Sequence, residues 1–267
     1  MPAEDDIGLD EKRVFAEAGT VTVAWVASGL GVTRVDVSGN RVGRFELAHR
    51  CTARGIAAGD GRLYVATDED VLVGTVSGFE GSGFGPAVAV GVADGTPVAA
   101  GPNGSVATLE TDHWDRRGTV EGRVRRIDGR LLAAADGVYH VEDEPTRAGL
   151  DDVRDVGVAG PYAATGTGLY HRQDGWNRII EGETSVVAAT EGRAHAVNEG
   201  VLRARTDEHT WSPCDLPVDD PVLDVAYGDR ALAVTIDGTV LVEPLADEDG
   251  WRHRALGVPD VAGLAVG

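Results

Sequence analysis

The sequence predicts an all-β chain, a seven-bladed β-propeller of four-stranded antiparallel blades closed by pairing of N- and C-terminal strands. Three observations carry this expectation: a four-strand unit recurs seven times, no 3.6-residue helical period separates the copies, and the chain ends on an unaccompanied first strand of the unit. "VLDVAYGDRALAVTIDGTVLVEPL" (222–245) shows the unit most fully. Copies are legible at 55–74, 124–141, 153–172 and 185–204, with fainter ones at 14–35 and 87–109. The apolar residue after the central turn falls at Val32, Val71, Val106, Val138, Leu169, Val201 and Val240. The intervals run from 31 to 39 residues, as expected when strands keep their length and loops vary.

Each unit reads as strands a, b, c and d. Strand a is small and apolar on both faces ("GIAAG", "VGVAG", "VVAAT"), which suits an inner strand enclosed near an axis. Strand d opens on Trp in four copies, at Trp114, Trp176, Trp211 and Trp251. Radial repetition of such units leaves only short, protected sheet edges, whereas a sandwich would not need one unit seven times. The last residues, "DVAGLAVG" (260–267), form an eighth strand a with nothing after it. They are assigned to the blade built from residues 21–50, which would otherwise hang by chain alone. "VFAEAG" (14–19) competes for the same place. The whole chain, 1–267, is expected to be a single propeller domain, with residues 1–12 a flexible acidic segment outside it.

Lys plus Arg number 24 against 44 Asp plus Glu, a formal charge of −20, and Lys12 is the sole lysine. Such a chain repels itself in dilute buffer, and the Debye length falls to ~3 Å at about 1 M salt, so high salt relieves the repulsion. The charge also argues against nucleic acid or anionic lipid as partner, because affinity for either rests on cations that neutralise phosphates. No basic leader with an apolar run opens the chain, and no stretch of 18 apolar residues occurs, so a soluble cytoplasmic protein is expected. Cys51 and Cys214 lack metal-ligand spacing and read as two small, partly buried thiols.

The c–turn–d corners, "GLYHRQDGWNRI" and "GVLRARTDEHTWSPC", resemble degenerate Asp-box repeats of sialidase-like propellers. In those families the box is structural, with the Asp bonding turn amides and the Trp packing on the blade. The single-lysine acidic composition with these repeats resembles a haloarchaeal β-propeller family without a diagnostic functional motif. The recurring Gly-His and Trp-Asp dipeptides of WD40 repeats and the double glycines of kelch repeats are missing, so those families' partner rules do not carry over.

Candidate site residues must therefore come from departures from the repeat. Tyr64, Tyr139 and Tyr170 lie inside strands and read as packing, and Tyr162 and Tyr227 flank turns. His140 and His171 occupy equivalent places in adjacent units, which repetition explains without a metal. No glycine-rich stretch joins a strand to a helix, so neither a phosphate loop nor any other cofactor site is expected. One stretch stands out: "DRRGTVEGRVRRIDGR" (115–130) places Arg116, Arg117, Arg123, Arg125, Arg126 and Arg130 among three acids. Arg125 and Arg126 fall in an inner strand, where a charge needs a partner or a channel. Arg54 and Asp155, near the starts of other inner strands, are the candidate neighbours. The expected function is a non-enzymatic scaffold presenting loops to a protein partner. The alternative is a sialidase-like or lyase-like enzyme with an axial active site.

Overall fold

The structure is a computed structural model and describes residues 21–207, 210–245 and 250–267. The acidic segment 1–12 and the competing strand at 14–19 lie outside these residues. Among the described residues twenty-eight strands form seven four-stranded antiparallel sheets arranged as a ring. Blade one holds β1 (Val21–Ser28), β2 (Gly31–Ser38) and β3 (Arg41–His49). Blade two is β4 (Ala53–Gly59), β5 (Arg62–Thr67), β6 (Val71–Thr75) and β7 (Gly78–Gly81). Blade three is β8 (Ala89–Ala93), β9 (Thr96–Ala100), β10 (Ser105–Glu110) and β11 (His113–Thr119). Blade four is β12 (Val124–Asp128), β13 (Leu131–Ala134), β14 (Gly137–Val141) and β15 (Pro145–Gly149). Blade five is β16 (Val153–Gly157), β17 (Tyr162–Thr165), β18 (Gly168–Arg172) and β19 (Trp176–Glu181). Blade six is β20 (Thr184–Thr190), β21 (Arg193–Asn198), β22 (Val201–Arg205) and β23 (Trp211–Pro213). Blade seven is β24 (Val222–Tyr227), β25 (Ala231–Thr235), β26 (Thr239–Val242) and β27 (Arg252–Ala255), and β28 (Val261–Val266) ends the fold.

β28 is the inner strand of blade one. It pairs antiparallel with β1, from Ala24 against Val266 to Ser28 against Val261, so the first blade combines both ends of the described chain. Strand b is covered on both faces, completely so in blades four and five. In β13, Leu131, Leu132, Ala133 and Ala134 are all buried. Side chains alternate faces along a strand, so Leu132 and Ala134 enter the core against blade three while Leu131 and Ala133 enter the core against blade five. Seven such cores lie between neighbouring blades among the described residues.

All four tryptophans at the start of strand d dock on the preceding blade with a polar or aromatic partner. Trp114 Nε1 donates to Ser82 Oγ at 3.0 Å, Trp176 Nε1 donates to the Ala148 carbonyl at 2.9 Å, and Trp211 meets the edge of Tyr162. Trp251 is buried against His195 of blade six. In blade six the corner is held by Asp207, whose Oδ1 accepts from the Thr210 amide at 2.9 Å.

One reading shifts by a residue. Glu199 and Gly200 form a two-residue turn at positive φ (51° and 77°), closed by the Asn198–Val201 pair. Strand alternation then sends Leu202, not Val201, into the core: Leu202 is 2% exposed and Val201 40%.

Candidate functional site

The inner strands β4, β8, β12, β16, β20, β24 and β28 wall an axial cavity of about 340 Å³. The d–a and b–c connections gather on one face of the ring, called upper here, and the a–b and c–d turns on the lower face. In six blades the inner strand slips register by one residue just below its upper end, as at Val124/Arg126, Val153/Asp155 and Val222/Asp224. Such a bulge re-aims the side chains beside it. It brings Arg126, Asp155 and Asp224 to the same level of the channel on three different blades.

Arg126 reaches across the axis to blade one. Its Nη1 donates to the Ala262 carbonyl at 2.9 Å and lies 3.5 Å from Asp224 Oδ2. The crossing passes close over Gly263: a Cβ built there would stand 3.2 Å from Arg126 Nη1 and 3.3 Å from Asp224 Oδ2. Channel burial opposes the charge on Arg126, yet Asp224 and then Asp155 outweigh it and hold the guanidinium protonated above its ordinary range.

The carboxylates tie blades together. Asp155 accepts from Val156 N and, on blade six, from Val187 N, both at 2.9 Å. Asp224 accepts from Val225 N at 2.8 Å and, on blade one, from Leu264 N at 2.9 Å. Asp128 accepts from Val158 N of blade five at 2.7 Å. Burial pushes Asp155 up to about 7, against the pull of Arg126 and with a further push from Asp224. Burial likewise raises Asp128.

The junction of blades six and seven uses another device. His195 Nδ1 and Tyr227 Oη lie 2.8 Å apart, Tyr227 also donates to the Ala188 carbonyl at 3.2 Å, and Arg193 stacks on the Tyr227 ring while pairing with Glu243. His195 Nε2 meets no hydrogen-bond partner. An imidazolium there would be buried with an unsatisfied donor, and burial lowers the His195 pKa to about 4.

These shifts predict opposing pH effects. Asp155 is raised from 3.8 to about 7, so its contribution is present at low pH and lost as pH climbs from about 4 to 7. His195 is depressed from 6.5 to about 4, so its contribution is present above pH 6.5 and lost as pH falls toward 4. In melting curves, Asp155→Asn is expected to gain on the wild type as pH rises from 4 to 8, and His195→Gln to lose ground over the same interval. Parallel pH dependence of both variants would refute the assignment.

The arginine run is dispersed. Arg116 and Arg117 sit on the outer strand β11, where Arg116 donates to Thr119 and Arg117 to Thr108 and Glu110. Arg123 is exposed just ahead of β12. Arg130 lies on the lower face, bonded to Asp94 of blade three at 2.8 Å. Arg125 lines the cavity and donates to Asp152 at 2.8 Å, which holds that carboxyl below its usual range. Arg54 is exposed at the mouth of the same cavity. The axial wall thus unites Arg54, Arg125, Arg126 and Asp155, and adds Asp224, Asp128 and Tyr227. Asp224 was findable, since "VRDV" and "VLDV" place an Asp at the same position in two units. The His195–Tyr227 contact joins residues 32 apart and left no local signal.

Tyr64, Tyr139 and Tyr162 are buried. His140 lies 3.7 Å from Glu142, and His171 stacks on Tyr162. Cys51 and Cys214 are free, half-buried thiols; burial raises both, Cys214 to about 11. Among the described residues no three His, Cys, Asp or Glu side chains converge as metal ligands.

Comparisons agree with the ring. The chain is similar to the computationally designed Ika8 protein, at 13% identity and TM-score 0.60 over 91% of this chain and 86% of that one. It is similar to the WD40 β-propeller domain of Doa1, at 13% identity and TM-score 0.66 over 80% and 86%. It is also similar to apo AztD from Citrobacter koseri, at 11% identity and TM-score 0.57 over 90% and 84%. Identities this low bear on fold alone. No curated protein matches the chain. Residues 8–267 match the family described as "Beta-prop_HVO_0234:-like, beta propeller", and with seven blades, a closed ring and a match over nearly its whole length, the chain belongs to that β-propeller family.

Proposed function

We propose that the protein is a non-enzymatic propeller that holds a protein partner on its upper face, in a cytoplasm of high ionic strength. One observation carries the reading: Asp155, Asp224, Arg126 and Tyr227, inside the axial cavity, are engaged in joining blades. Both oxygens of Asp155 and of Asp224 accept backbone amides, Arg126 bonds Ala262, and Tyr227 is tied to His195 and Ala188. A catalytic acid, base or nucleophile must instead be free to reach the reacting atoms. The upper loops, by contrast, are rigid and open. Their b–c turns are fastened to the neighbouring d–a connections by backbone bonds such as Gly29 N to Asp260 O at 3.0 Å and Ile236 N to Pro221 O at 3.0 Å, so little order is lost when a partner binds.

The second reading, a sialidase-like or lyase-like enzyme, is favoured by the near-neutral pKa of Asp155 beside Arg126, since perturbed carboxyls gather at catalytic sites. It requires Asp155 to exchange two amide bonds for substrate. Affinity purification of the tagged full chain from its own host, at that host's salt, separates the two. The expected result is one protein recovered in near-stoichiometric amount and missing from an unrelated acidic propeller used as bait. Recovery of no partner in replicate preparations would refute the scaffold reading.

A further inference from the structure

The b–c turns of the seven blades occupy equivalent places around the upper face, and they differ in character. On blades two to five their tips carry Asp68 and Glu69, Pro102 and Asn103, Ala135 and Asp136, and Gly166 and Thr167. On blades six, seven and one, which are consecutive in the ring, each turn exposes a large aliphatic side chain: Val201 at 40%, Ile236 at 49% and Leu30 at 44%. Isolated exposed aliphatics need no explanation, but three at equivalent turns of consecutive blades share one sector of the upper face.

The charge around these turns is predominantly negative. The turns at 28–31, 199–201 and 236–238, with the d–a connections at 215–221 and 257–260, contain six carboxylates and no lysine or arginine. The d–a connection beside the Leu30 turn adds one exposed cation, Arg50, and Arg54, Arg125 and Arg154 of the upper face stand on blades two, four and five. Asp237, next to Ile236, is kept ionised by the hydrogen bond from the Thr235 hydroxyl, which lowers its pKa. The crescent therefore combines exposed aliphatic side chains with a predominantly anionic rim on turns that are already ordered.

We infer that this crescent on blades six, seven and one docks a segment of another protein whose apolar side chains are flanked by lysine or arginine. The partner's aliphatic or aromatic groups cover Leu30, Val201 and Ile236, and its cations meet the carboxylates of the rim. Complementary rims steer encounter and exclude acidic competitors, while the buried apolar centre carries the affinity. The inference rests on the scaffold reading and narrows it to one sector and one partner chemistry.

The test uses the full chain in its host at native salt, with a photo-crosslinking amino acid at 236, at 201, or at 76. Val76 is fully exposed on the lower face of blade two and serves as control. Adducts are expected from 236 and 201 and not from 76, and the crosslinked segment should carry apolar residues beside Lys or Arg. Ile236→Asp should lower recovery of the partner about tenfold or more without moving the melting temperature, and Ile236→Leu should retain it. A partner recovered equally well by Ile236→Asp, an adduct only at 76, or an adduct to an acidic segment would overturn the inference and leave the scaffold reading standing. Adducts to a second copy of this chain, with a dimer mass in light scattering, would overturn it in favour of self-association. Recovery of no partner by the wild type would overturn both.

Discussion

Removal of residues 259–267 is expected to abolish cooperative unfolding. Those residues supply β28, whose Val261 and Leu264 are buried in the core between blades seven and one, while Ala265 enters the core between blades one and two. Burial of each larger side chain contributes about 2 kcal/mol, and the deletion also removes the ladder to β1 and two polar ties. Leu264 N then no longer binds Asp224, and the Ala262 carbonyl no longer receives Arg126. Blade one would keep β1 to β3 but lose its inner strand, and the ring would open at two junctions. Against a total stability of roughly 5–15 kcal/mol for a domain, that loss leaves no folded ring. Circular dichroism melting is the measurement. A truncated chain with a sharp transition within a few degrees of the full-length protein would show that the ring does not depend on β28.

Arg126→Met is expected to destabilise the fold by about 3 kcal/mol, at the lower end for breaking a buried ion pair. Channel water moderates the effect, since Arg126 and Asp224 side chains retain 25% and 17% of their surface. The loss arises less from the missing bond to Ala262 than from Asp224 and Asp155, left facing each other without a cation. Two corollaries follow from that cause. The deficit should be larger at pH 8 than at pH 5, because a carboxyl whose pKa is raised further takes up a proton at the lower pH and ceases to repel. The double variant Arg126→Met/Asp224→Asn should recover part of the deficit, since the amide oxygen can still accept from Leu264 N while the charge is gone. Chemical denaturation of the four proteins of this cycle measures the coupling. Strict additivity would mean that Arg126 and Asp224 act independently despite their 3.5 Å approach.

The scaffold reading gains from the way the axial residues divide their work. Asp128, Asp155 and Asp224 bridge blade four to five, five to six and seven to one, and the His195–Tyr227 pair bridges six to seven. Inner strands of neighbouring blades share no β-ladder, so these side chains take the place of missing backbone bonds. Ties of this kind join four of the seven neighbouring pairs of blades along the axis.

Blade number, strand order and closure by the C-terminal strand were legible in the residues because they rest on local regularities. A repeating apolar–turn–apolar pattern needs only neighbouring residues to be recognised, and both-face burial of strand b shows as the loss of alternation in "LLAA" and "YAAT". Even so, the pattern could not tell Val201 from Leu202, since both are apolar and a two-residue turn decides which one faces the core. The candidate site was legible only in part. Clustering in sequence suggested a basic patch, but antiparallel strands send Arg117, Arg126 and Arg130 to an outer strand, the axis and the lower face, because successive side chains point to opposite sides and successive strands run to opposite ends. The partners that matter for Arg126, at positions 224 and 262, lie on other blades. Distances across an axis depend on the closed ring and leave no trace in any one repeat, which is why only the assembled blades decided where the charges meet and which loops stand together.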